Sequence, residues 1–284
     1  MEPRVKEFRY TLHLLKQSPL ALVGIAVVLV LVLVAIFAPL IAPYDPYDLD
    51  LPDKLAPPNK YHLFGTDDFG RDIFSRIVYG SRISIKIGIL AVGIAFCIGV
   101  PLGVVAGYFG GWVDELIMRI MDMMLAFPAL VLAMALCAAL GYGLTNAMIA
   151  IGIVYIPYYA RLVRGQALSV RENPYVEAAH SIGASRSRIV FRHVLPNCLS
   201  PLVVQATLSL GDAILTAAAL SFIGVGAQVP EAEWGAMITL GRGYIVSGEW
   251  WLATFPGIAI LVTVLGFNLF GDGLRDTLDP RLRR

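Results

Sequence analysis

The stretch Leu20–Pro43, LALVGIAVVLVLVLVAIFAPLIAP, contains no charged, amide or hydroxyl side chain. A helix needs roughly 20 mostly apolar residues to cross the hydrocarbon core of a bilayer, and this run is long enough to do so. Arg4, Lys6, Arg9 and Lys16 precede it, as basic residues precede a secretory signal. The run is too long for a signal's apolar region, however, and Ile41-Ala42-Pro43 is a poor cleavage site. It reads as an uncleaved first span.

The rest of the chain has the same character. Hydrophobic residues make up 57% of the 284 and charged residues 15%, and mean hydropathy is +0.72. Soluble domains carry roughly 45–50% apolar and about 25% charged residues, so the surplus calls for lipid as a solvent. A net charge of +1 gives no footprint for nucleic acid. A second apolar run covers Ile87–Gly111, with Gly99, Gly103 and Gly107 on one helical face. Such a stripe of small residues admits close helix packing, and Pro101 is expected to kink the helix. Met123–Ala160 is uncharged and too long for one span; it divides at Gly141–Asn146, GYGLTN, into two helices joined by a tight turn. The fifth run is about Ser200–Val225 and the sixth about Leu252–Gly271. The expectation is an all-α membrane protein of about six transmembrane helices. It divides into residues 1–80 (tail, first span and outer loop) and a core of 81–284.

Lysine and arginine are distributed unevenly between the two sides. One side collects Arg4, Lys6, Arg9, Lys16, Arg119, Arg161, Arg164, Arg171, Arg186, Arg188, Arg192, Arg275, Arg281, Arg283 and Arg284. The other has only Lys54, Lys60, Arg71, Arg76, Arg82, Lys86 and Arg242. Because positive charge stays inside, the first side is cytoplasmic and holds both termini. Outside lie an Asp- and Pro-rich loop, Tyr44–Ser81, and a second loop, Gly226–Trp251, whose Trp234, Trp250 and Trp251 suit an interfacial belt.

One inner loop, within 165–199, is built unlike a plain connection. Asn173 is a good N-cap and Pro174 fits the first helical position. Gly183 suits a left-handed C-terminal cap. Ser185 can then cap a second helix that ends before Pro196. The expected product is a helix–Gly–helix knob beneath the membrane, able to carry force from a soluble partner into the spans.

Glu177-Ala178-Ala179, then Gly183, Ile189 and Leu195-Pro196, resemble the EAA loop of importer-type ABC permeases. Phe64–Arg76 (FGTDDFGRDIFSR), Ser221–Gln228 (SFIGVGAQ), Glu233–Met237 (EWGAM), Phe267–Pro280 and Ile41–Pro46 (IAPYDP) are similar to the C-type subunit of dipeptide/oligopeptide permeases. The resemblance covers nearly the whole chain, with its motifs in order. It implies the type I importer permease fold in a bacterial or archaeal cytoplasmic membrane. It also implies a homologous B-type permease subunit as partner, two cytoplasmic ATPase subunits, and an extracytoplasmic binding protein that delivers substrate. Under it, coupling falls to Asn173, Glu177, Ala178, Ala179, Gly183 and Arg186. Small Ala178 and Ala179 would let the helix sit deep in an ATPase groove, and Asp67, Asp68, Arg71, Asp72, Glu233 and Trp234 would dock the binding protein.

Several chemistries lack the residues they need. There is no G-x-x-x-x-G-K-[ST] phosphate loop, nor any Gly-Lys pair. ATP and magnesium are therefore expected on partner subunits, with no cofactor in this chain, which is expected not to be an enzyme. There is no G-x-S-x-G and no H-E-x-x-H, and Cys97, Cys137, Cys198 and the four histidines show no metal-ligand spacing. Relatives in this branch carry dipeptides, oligopeptides, glutathione or nickel. Peptide is the first expectation, and a nickel-chelate or glutathione importer the alternative. A stand-alone secondary transporter is the competing class, but internal repeats of that kind are not evident. Two span carboxylates remain as candidates for the translocation path. Asp122 has Arg119 three residues away as a local partner, whereas Asp212 has no cation at helical spacing.

Overall fold

The structure, a computed structural model, describes residues 18–278. The basic residues Arg4, Lys6, Arg9, Lys16, Arg281, Arg283 and Arg284, with His13 and Pro280, lie outside the described residues. Helices α1 (Pro19–Ile36) and α2 (Ala38–Ile41) form the first span and its bent outer end. Ser18 caps α1, its Oγ accepting from the Ala21 amide at 3.3 Å. Pro39 stands at the start of α2, where its missing N–H is no loss.

Helix α3 (Ile73–Phe109) is longer than a bilayer is thick, and it runs on through Pro101. At about 1.5 Å per residue it reaches from the outer loop to the inner one. The domain boundary expected after residue 80 therefore falls inside this helix. Next come α4 (Gly111–Leu125) and α5 (Ala129–Leu140), which meet at 92° across Ala126–Pro128. The third span is thus a bent pair rather than one helix: Pro128 cannot donate the bond that would continue α4. Helix α6 (Leu144–Arg171) follows the expected glycine turn, with Gly141 and Gly143 at φ 96° and 126°.

Helices α3 and α6 are parallel and very close. A Cβ on Gly99, Gly103 or Gly107 would stand 2.7, 2.4 and 2.7 Å from the carbonyl oxygens of Ile156, Ala160 and Arg164 respectively. The expected packing role of these glycines holds. Because α3 and α6 run the same way, the bent α4–α5 pair must carry the chain back across. Among the described residues, five helices are long and apolar enough to span, and six spans result when the bent pair counts as one.

The inner loop contains α7 (Pro174–Ser181) and α8 (Arg186–Ile189). A π turn, Val190–Val194, joins α8 to α9 (Leu195–Ile223). The outer helix α10 (Trp234–Gly241) and the last span α11 (Trp251–Leu278) complete the fold. Helix α11 packs antiparallel on α1, where Gly24, Gly266 and Gly273 leave room for Leu269–Phe270, Val27 and Ala21. The central core is shared by α3, α5, α6 and α9, and the outer core by α1, α3, α9, α10 and α11. A third, inner cluster lies under α7.

Candidate coupling loop and translocation face

Helix α7 is held from one side. Val176 and Ala179 are buried with Tyr108, Ala167, Val170, Ile189, Val194 and Cys198. Glu177 and Ala178 face outward. Tyr175 is 44% exposed, Ile182 85% and Phe191 69%. The expectation that Ala178 and Ala179 both enter a partner's groove is thus corrected: successive helical positions face different ways, and Ala179 packs inward. Gly183 has φ 79°, the left-handed conformation that ends the helix. Ser185 caps α8 by accepting from the Arg188 amide at 3.4 Å, and Arg186 is exposed at its start.

Two local expectations are revised. Asn173 precedes α7, but its side chain makes no cap bond to that helix; its amide donates to the Ser169 and Val170 carbonyls, closing the end of α6 instead. The second loop helix does not stop before Pro196. In the π turn the Leu195 amide reaches back to the Val190 carbonyl. This five-residue spacing shifts the bonding pattern, so Pro196, which has no N–H, enters at the first turn of α9.

Polar contacts tie the knob to the spans. Tyr108, at the inner end of α3, has its hydroxyl 3.1 Å from His180 Nε2 on α7. Arg171 donates to the Gly107 and Tyr108 carbonyls. Arg164 grips Asp114 on α4 with two bonds of 2.5 and 2.7 Å. Asp122 pairs with Arg161, at 2.5 Å, while Arg119 pairs with Glu115. The local Arg119–Asp122 pair is therefore corrected to a bridge between α4 and α6. Reading Arg161, Arg164 and Arg171 only as topology markers missed these ties; their helical spacing along the inner end of α6 was the available signal.

Asp212 is exposed near the middle of α9, and among the described residues it makes no ion pair. One turn on, Thr216 donates to the Asp212 carbonyl and lies 3.1 Å from the Tyr155 hydroxyl. Tyr158, 45% exposed, stacks edge-on to Tyr155. A carboxylate at this depth facing hydrocarbon is costly. This face of α9 and α6 therefore suits water or a partner subunit.

The outer loop is a buried polar knot. Asp67 accepts from the Phe69 and Arg71 amides and from Arg71 Nε at 2.7 Å. Asp72 caps α3 through the Ser75 amide and lies 3.0 Å from His62. Arg76 Nη1 donates to the Pro46 carbonyl at 2.8 Å, and Nη2 to the Glu231 carbonyl at 3.1 Å. Glu233 caps α10 with bonds from Gly235 and Ala236. Burial pushes its carboxyl above the ordinary range, against the pull of those two amides. Trp234 donates to the Ile77 carbonyl, seated where Gly80 has no side chain. Asp67, Arg71, Asp72, Glu233 and Trp234 are all buried. The expectation that these side chains dock a binding protein is corrected: they hold the loop together. Asp68 alone is half-buried, its carboxyl pushed up by burial and by Asp67.

The comparisons agree with this architecture. Residues 99–284 match the model of the binding-protein-dependent transport system inner membrane component, and residues 7–58 that of the N-terminal TM domain of oligopeptide transport permease C. The chain is 54% identical to the probable D,D-dipeptide transport system permease protein DdpC of Escherichia coli, over 94% of this chain and 90% of that one. It is 50% identical to the dipeptide transport system permease protein DppC of Alkalihalophilus pseudofirmus, covering 98% and 91%. It is also 47% identical to the glutathione transport system permease protein GsiD of Pectobacterium atrosepticum, covering 90% and 85%. In fold it is similar to a chain of the inward-facing MetNI methionine ABC transporter, with TM-score 0.57 and 22% identity, covering 71% of this chain and 96% of that one. This chain belongs to the family of binding-protein-dependent transport system inner membrane components, the permease subunits of ABC importers.

Proposed function

We propose that the chain forms half of the translocation path of an ABC importer for di- and oligopeptides in a bacterial cytoplasmic membrane. A homologous B-type permease subunit supplies the other half. Two cytoplasmic ATPase subunits bind ATP and magnesium, and an extracytoplasmic binding protein delivers the peptide. The peptide reading is supported by the names of the relatives; glutathione, the cargo named for one of them, is itself a tripeptide.

The observation that carries the coupling role is the knob: α7 presents Glu177, Ala178 and the bare Ile182 to the cytoplasm while its inner face sits on α3 and α6. Closure of the ATPase pair pushes α7. Tyr108–His180 and Arg171 pass that displacement to α3 and α6, which move as one because their backbones touch at three glycines. The Asp212 face of α9 then opens outward, and hydrolysis reverses the motion.

The test is co-purification of the ATPase subunits with the assembled transporter. Glu177→Arg is expected to lose them while the permease remains folded. ATP-independent peptide transport by this chain alone would overturn the reading.

A further inference from the structure

A polar cavity lies away from the Asp212 face, at the outer ends of the spans. It has a volume of about 330 Å³ and is lined by Ile83 and Lys86 of α3, Tyr142 of the α5–α6 turn, Thr145 and Asn146 in the first turn of α6, and Glu231. Its walls are fixed from three directions. Arg76 holds the Pro230 and Glu231 carbonyls. The Gly143 amide donates to the Val225 carbonyl. Asn146 Nδ2 is spent on the Leu140 and Gly141 carbonyls, both at 3.0 Å, which leaves its own carbonyl oxygen free to accept.

Lys86 and Glu231 bring opposite charges to this one cavity, yet neither forms an ion pair among the described residues. An ammonium and a carboxylate that line one cavity without pairing with each other are complementary to a ligand that carries both charges at its ends. An extended dipeptide separates its termini by roughly 5–7 Å, at about 3.5 Å per residue, and a cavity of this volume accommodates one. Tyr142 and Thr145 add hydroxyls for the peptide unit.

We propose that this cavity receives a zwitterionic short peptide at the outer mouth, its carboxylate on Lys86 and its ammonium on Glu231 and Asn146. The inference rests on the peptide reading above and places the recognition of both termini in the permease as well as in the binding protein.

The test uses the complete transporter in proteoliposomes with wild-type binding protein and alanyl-alanine. At saturating loaded binding protein, Lys86→Glu and Glu231→Lys each lower uptake about tenfold, the size of one lost charged contact. The double swap Lys86→Glu/Glu231→Lys restores much of it, because the peptide can bind reversed. The binding-protein concentration giving half-maximal ATPase stimulation stays unchanged throughout. Wild-type uptake by both single variants would overturn the proposal. So would a matching rise in that half-maximal concentration, which marks a docking contact, or a double variant no better than the singles. If the wild-type transporter imports neither alanyl-alanine nor longer peptides while a non-peptide cargo is carried, the peptide reading itself falls, and this inference with it.

Discussion

The inner and outer loops of this permease have opposite constructions. The inner loop is a short helix with one apolar face on the bundle and a second apolar tip, Ile182 and Phe191, left in water. The two outer loops carry more charge than the inner helix, yet turn it inward: Arg71, Arg76, Asp67 and Asp72 of the first and Glu233 of the second are all buried. An exposed apolar tip gains free energy when a partner covers it. A buried charge network whose members are bonded mainly to one another becomes costly when it is opened. The contrast supports the proposed grip on the inner loop, whose apolar tip is uncovered, and sets it against outer loops whose charges hold them together. Helix α3 joins the two, capped by Asp72 at one end and meeting His180 through Tyr108 at the other.

The largest expected effect comes from opening the rigid side. Arg76→Ala removes the donor to the Pro46, Pro230 and Glu231 carbonyls and leaves Asp67 with one cation fewer; breaking a buried ion network of this kind costs about 3–5 kcal/mol. Thermal unfolding of the purified complex should fall sharply, and an unchanged transition would mean the knot is not structural. Next comes the rod between the loops. Gly103→Val forces side-chain atoms into the Ala160 carbonyl, which a Cβ alone would approach to 2.4 Å, at a cost of about 1–3 kcal/mol for overpacking. ATP-driven uptake should fall with stability, since α3 and α6 can no longer move as one.

Gly183→Ala meets no neighbour within 4 Å, so only the left-handed backbone resists it, at about 1–2 kcal/mol. Its expected signature is reduced coupling of ATPase activity to uptake with a small drop in stability. Smallest is Glu233→Gln. Its folded carboxyl titrates above the ordinary value, so its contribution to stability is complete below the unfolded glutamate pKa and declines as pH rises through the raised folded value. The glutamine variant should give a flatter stability–pH curve between those limits, and an identical curve would contradict the burial argument.

Much of this was legible in the residues because lipid imposes a simple rule: backbone polar groups must be satisfied within a helix, so spans appear as long apolar runs. Leu20–Pro43, the glycine stripe of α3 and the turn at Gly141–Asn146 all read correctly for that reason. The 92° bend before α5 did not, since Met123–Ala160 is apolar on both sides of Pro128 and hydropathy is blind to direction. The continuation of α9 through Pro196 depended on the π turn, a change of hydrogen-bond spacing that residue preferences do not encode. In the candidate site, Gly183 and Ser185 were legible from their capping positions. The inward turn of Ala179 and of the outer aspartates was not, because burial is decided by long-range partners such as Arg76 with Pro46 and Glu231.

The central claim is that the exposed face of the inner loop is a grip for the ATPase subunits. The direct measurement is ATPase retention and peptide uptake by the assembled transporter carrying Ile182→Asp, beside its unfolding temperature. With Ile182 at 85% exposure, stability should change by no more than about 0.5 kcal/mol, while ATPase binding and uptake are lost. Full uptake with the ATPase subunits retained would contradict the account.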